Sequence, residues 1–302
     1  MVTGTALLLA ALALTVVVGP LLFWLAGVRA ARRANAVQAA VGSWRGTAAS
    51  TLLYVLAFNL TFFLQELFLV LPKAFTPGLR PTLYHNNHSW EGTNPLASLF
   101  QGTGALATLS FGLLCLWWLR RSQRGSTGTR LFLFWMAYCG CFMALPQVVI
   151  GALSSGSDLG MAMAYLQLGE TVRIGAALLA LGLMPLIALL LCRPALELAD
   201  TPARLASPGA RTRWVFWMVT LPALLGTALV IPFRVPRELL EVVLVPVLVI
   251  LPGIPWMQAV AWRLRQARIH GAVTAPSLAY PLAAAVALLL FFQIVLRPGV
   301  PF

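Results

Sequence analysis

The chain has 302 residues, of which 60% are hydrophobic and only 10% charged, and its mean hydropathy is +0.87. A soluble domain carries about 25% charged residues, so a water-soluble globular fold is excluded. The net charge of +13 does not point to nucleic acid, because the arginines cluster at the ends of apolar runs and form no long basic face.

Apolar runs of about 20 residues separated by short arginine-rich segments indicate an all-α polytopic membrane bundle. Eight spans are expected, near residues 5–28, 47–72, 96–119, 131–153, 163–192, 214–233, 239–261 and 277–296, in a single domain covering 1–302. The first run lacks a basic leader and a small-residue cleavage site, which predicts a retained span rather than a signal peptide. The segments after spans one, three, five and seven hold 15 of the 21 basic residues. The positive-inside rule then puts those segments in the cytoplasm and both termini outside, as in a bacterial inner (plasma) membrane protein. Membrane lipids are the expected partners, with another membrane protein as a further candidate.

Between spans two and three, residues 73–96 form a polar loop, KAFTPGLRPTLYHNNHSWEGTNPL, expected on the exterior. It holds two of the three histidines, and span two, just before it, carries Glu66. A carboxylate in hydrocarbon is costly, so intramembrane acids usually face the bundle or a wet cavity and mark function. Asn59, Glu66 and Lys73 fall at i, i+7 and i+14, on one helix face, with Gln65 about 100° away. His85, His88 and Glu91 are spaced H-x-x-H-x-x-E. In a short helix they share a face, and two imidazoles with a carboxylate would suit a divalent metal such as zinc. A bland reading stands beside this one: Asn86, Asn87 and Ser89 make turns, and Trp90 anchors in the headgroups.

The fifth run, 163–192, would be about 45 Å long as one helix at 1.5 Å per residue, against a hydrocarbon core of about 30 Å. A break or projection near Gly169 is therefore expected, with Gln167, Glu170 and Arg173 at the outer interface and Glu170 and Arg173 able to pair along the helix. Pro246, Pro252 and Pro255 predict a broken seventh span. Gln101, Gln147 and Gln293 are each expected in the outer half of their spans, which gathers the costly polar groups on one side. Cys115, Cys139, Cys141 and Cys192 lie in or at the ends of apolar runs and read as small apolar fillers.

Where the CAAX-type intramembrane proteases carry paired glutamates followed by an arginine, this chain reads Gln65-Glu66-Leu67-Phe68-Leu69-Val70, so it is not assigned to that family. Three functional readings remain. One is a membrane-embedded enzyme acting on a lipid-linked or membrane-proximal substrate, with Glu66, His85 and His88 catalytic and Gln101, Gln167, Glu170 and Arg173 binding substrate. Another is a proton- or cation-coupled transporter using Glu66. The third is a non-catalytic assembly subunit. The final expectation is that the loop folds back so that one of His85 and His88 reaches Glu66.

Overall fold

The computed structural model describes residues 4–33, 43–121, 125–237, 243, 245–264 and 277–302. It is an all-α membrane bundle with little strand, and seven of its helices are long and apolar enough to cross a membrane. In chain order the elements begin with α1 (Gly4–Arg33) and α2 (Trp44–Ala74). A hairpin of β1 (Leu79–Leu83) and β2 (His88–Gly92) follows. Then come α3 (Leu96–Arg121) and α4 (Thr127–Leu153), the short α5 (Asp158–Tyr165), and α6 (Glu170–Glu197) and α7 (Pro208–Arg234). The chain ends with a shorter apolar segment, α8 (Val247–Arg263), then α9 (Ala279–Leu296) and β3 (Val300–Pro301).

Serines fix where four helices start. Ser43, Ser126, Ser157 and Ser207 sit in extended conformation, and each side chain accepts from the backbone N–H three residues on. This satisfies a donor that the first helical turn leaves open. The centre of the bundle is aromatic. Trp135 of α4 lies edge-on to Tyr54 of α2 with ring centroids 4.9 Å apart, and its indole N–H donates to Ser50 Oγ at 3.0 Å. Ser50 in turn donates to the Met218 carbonyl of α7 at 2.7 Å, so buried polar tips are paired as burial requires. Helices α3 and α4 touch backbone to backbone: a Cβ on Gly140 would stand 2.7 Å from Gly112 Cα. Small residues at such crossings replace the hydrophobic drive that lipid cannot supply.

The long fifth run is broken where expected. Helix α5 ends at Tyr165, Gln167 takes a positive φ of 52°, and α6 starts at Glu170 with Gly169 as its N-cap. The proline-rich seventh run is broken too. Its described part turns at Leu251 and Pro252, and the Ile250 carbonyl accepts from the Tyr138 hydroxyl at 2.6 Å. A neighbouring side chain thus satisfies backbone freed by the break.

Strand pairing relates the ends of the helices. β3, after α9, pairs antiparallel with β1, after α2, matching Thr82 to Pro301 and Leu83 to Val300. The hairpin and the C-terminal strand therefore lie at one end of the bundle, and an even number of crossings separates them. Five long helices intervene, so the α8 segment must supply the sixth crossing. Its contacts agree. Ile250 meets the middle of α4, and the Trp262 carbonyl accepts from Arg211 at 2.8 Å at the other, arginine-rich end. The residues preceding α8 at 238–242, which belong to the expected span 239–261, lie outside the described residues.

Candidate functional site

The polar loop is a hairpin rather than a short helix, and this corrects the one-face arrangement expected for His85, His88 and Glu91. β1 and β2 pair antiparallel with Leu83 opposite His88, Pro81 opposite Trp90 and Arg80 opposite Glu91. Side chains alternate along a strand. Leu79, Leu83 and His88 are buried, Pro81 is buried with them, and Arg80 and Glu91 are exposed. His88 and Glu91, three residues apart, fall on opposite faces. His85 sits in the turn, where its Nε2–H donates to the Val235 carbonyl at 3.1 Å. Among the described residues no three His, Cys, Asp or Glu side chains converge as a metal-ligand group.

The inward face of the hairpin closes over the end of α2. His88 Nδ1 lies 2.8 Å from Glu66 Oε2, and its Nε2 lies 3.1 Å from Gln101 Oε1. The loop thus folds back onto Glu66 as expected from the cost of an unpartnered acid. The three side chains come from α2, β2 and α3, and their residues are 5%, 9% and 3% exposed, so water does not share the network freely. Close backbone approach brings Gln101 into place. A Cβ on Gly104 would stand 2.8 Å from Leu69 and 2.9 Å from the Gln65 side chain.

The hydrogen bonds define a proton inventory. The Gln101 amide oxygen accepts, so Nε2 of His88 carries a hydrogen and donates. One further proton then lies between Nδ1 and Glu66. Either the imidazolium donates to the carboxylate, or the Glu66 hydroxyl donates to Nδ1. Both forms are neutral overall, which is what a low-dielectric interior favours.

A second layer surrounds the pair. Trp90 stacks on His88 with centroids 5.8 Å apart and planes 15° from parallel. The ammonium of the fully buried Lys73 lies 4.4 Å from the Trp90 ring centroid and has no hydrogen-bond partner among the described residues. Asp158, at the start of α5, was not singled out from the sequence, although it is one of only eight acids. Its carboxyl is held above the usual carboxylate range, first by burial and then by the Glu66 charge, with His88, Lys73 and Arg237 pulling the other way. Gln65 points away from Glu66, as expected, and accepts from Gln147 of α4 at 2.7 Å.

The remaining expected site residues stand apart. Gln167 and Glu170 are exposed at the turn into α6, and Glu170 sits in the first helical turn, where an acid is favourable. No ion pair forms between Glu170 and Arg173, and among the described residues no hydrogen bond joins Gln167, Glu170 or Arg173 to the Glu66–His88 pair. His85 belongs to a different environment. Burial pushes its imidazole below the usual value, and the charges of Arg297, Arg234 and Arg237 push the same way, against the hydrogen bond to Val235.

No known family model, curated protein or solved structure matches the chain.

Proposed function

We propose that this multi-pass membrane protein is a proton-coupled transporter whose proton site is the Glu66–His88 pair. The observation that carries the reading is the buried 2.8 Å contact between an intramembrane carboxylate and an imidazole. Such a pair is neutral while it holds the shared proton and changes its net charge by one when that proton leaves, so proton release in a low-dielectric interior can drive a rearrangement. Asp158 and Lys73 set the local field around it, and the broken α8 gives the bundle an element that can rearrange without losing a long continuous helix. In this reading the hairpin end faces the outside of a plasma-type membrane and the arginine-rich end faces the cytoplasm.

A second reading is supported by the orientation of His88. A carboxylate on Nδ1 with Nε2 directed elsewhere is the arrangement of a histidine general base. A membrane-embedded enzyme would use it on a lipid-linked substrate, but Gln101 occupies the Nε2 side and would first have to move.

The deciding experiment uses purified protein in proteoliposomes with an imposed proton gradient, offered amino acids, sugars, peptides and organic cations in turn. The reading predicts gradient-driven flux of one class, abolished by Glu66→Gln. Flux that Glu66→Gln leaves intact would overturn it. Turnover of a lipid-linked substrate without gradient-driven flux would favour the enzyme. Sidedness is checked with cysteines introduced at Thr93 and Ser126: an impermeant reagent added to intact cells should label the first and spare the second. The reverse pattern would place the hairpin end in the cytoplasm.

A further inference from the structure

A separate pocket of about 350 Å³ opens beside the hairpin turn, lined by Tyr84, His85, Asn86, Pro236, Arg237 and Arg297 among others. We propose that it binds a phosphate group bearing a nearby hydroxyl, the chemistry of a glycerophosphate headgroup.

Three elements meet here: the turn between β1 and β2, the end of α7 and the end of α9. Each helix end brings positive charge. Arg237 follows α7 and donates to the Asn86 carbonyl, and Arg297 follows α9, is exposed, and reaches Gln293 Oε1 at 3.4 Å. Arg234 lies just behind, its guanidinium 4.3 Å from the Phe62 ring centroid. The described residues that line the pocket include no acid. Guanidinium groups suit phosphate because their planar fork offers two parallel donors.

The histidine adds a second requirement. His85 donates from Nε2 to the Val235 carbonyl, so in the neutral ring Nδ1 carries a bare lone pair. The residue is 5% exposed, and Nδ1 has no hydrogen-bond partner among the described residues. Buried acceptors without donors are uncommon and call for an explanation. A ligand hydroxyl would supply the donor while the phosphate faces the arginines. Asn86 cannot serve, because its two amide hydrogens already go to the Arg234 and Pro236 carbonyls, at 2.6 and 3.4 Å. Neither the proton pair nor its proposed role is needed for this site.

The same chemistry occurs in a membrane lipid and in soluble glycerol phosphate, and the test separates them. Delipidated protein in neutral detergent is titrated with dioctanoyl phosphatidylglycerol, dioctanoyl phosphatidylmethanol, dioctanoyl phosphatidylcholine and glycerol 3-phosphate. Phosphatidylglycerol is expected to bind saturably. Phosphatidylmethanol, with the charge but no headgroup hydroxyl, and phosphatidylcholine should each bind about tenfold more weakly. Arg297→Gln, a change at an exposed residue, should cost about tenfold, as loss of a charge-assisted contact does. Arg121→Gln, exposed at the opposite end, should bind as the wild type does. Glycerol 3-phosphate binding as tightly as the lipid would assign the site to a soluble ligand. Its failure beside tight phosphatidylglycerol binding would assign the site to lipid. The proposal is overturned if nothing binds saturably, if Arg297→Gln binds like the wild type, or if phosphatidylmethanol matches phosphatidylglycerol.

Discussion

The two ends of the bundle hold their charges in opposite ways. At the arginine-rich end the ionic contacts are short-range and partly wet: Arg193 reaches Glu197 at 3.1 Å with its side chain half exposed, and Arg130 approaches the same carboxylate at 3.6 Å. At the hairpin end Glu66, His88, Gln101 and Lys73 are all buried, and the acid is held by a group that arrives from a distant β-strand. Solvent screens the half-exposed Arg193 contact and leaves it worth little, while the buried Arg130 meets the same carboxylate mostly out of water. The second set sits where an unmatched charge is costly, so its members depend on one another. The same residue types therefore act as topological markers at one end and as an interlocked unit at the other.

The contrast breaks most visibly if one member of the buried pair is removed. Glu66→Leu or His88→Leu, leaving its partner unmatched, should each destabilise the protein by about 3–5 kcal/mol. The double variant should lose clearly less than the sum, measured by unfolding in detergent. Additive losses would mean that the two side chains are not coupled. Gly104→Val tests the packing that seats Gln101. The added methyls meet Leu69 and Gln65, and overpacking of this kind costs about 1–3 kcal/mol. It should also weaken the Glu66–His88 coupling in the same cycle.

A pH series sharpens the comparison on the hairpin side. Because the folded protein holds His85 below its ordinary value, the unfolded chain takes up that proton first as pH falls. The His85 contribution to stability is therefore complete above the ordinary histidine value of about 6.5 and is lost as pH drops through it toward the lower folded value. His85→Gln should flatten this part of the thermal-stability profile. A variant that follows the wild-type slope would exclude His85 as its source. Asp158 acts with the opposite sign, since its raised value lets the folded state bind a proton first, so the difference between variant and wild type is the informative quantity. At the arginine end, Arg193→Ala should cost no more than about 1 kcal/mol and should diminish further with salt.

Much of this was legible in the chain, for identifiable reasons. Membrane spans, the break before Glu170 and the interruption near Pro252 follow from length, hydropathy and proline chemistry. The Glu66–His88 contact follows from the cost of a lone carboxylate. The hairpin was not legible, because H-x-x-H-x-x-E reads as one face only at helical period; in strands an offset of three reverses the face, which separates His88 from Glu91. Asp158 was not legible because two spans separate it from the Glu66 helix and nothing local ties it to Glu66. The arginine pocket escaped for a similar reason: Arg237 and Arg297 are 60 positions apart and meet only because α7 and α9 finish at the same end of the bundle.

Histidine nitrogen NMR reads the proton between His88 and Glu66 without an assay of transport. The chain has only three histidines, His85, His88 and His270, so the ring signals can be assigned by substitution. With uniformly labelled histidine in a lipid bilayer, Glu66→Gln should shift the His88 Nδ1 signal strongly and the Nε2 signal less, while His85 keeps its wild-type resonances. A His88 spectrum identical in the wild type and in Glu66→Gln would contradict the shared-proton pair and the transport reading built on it.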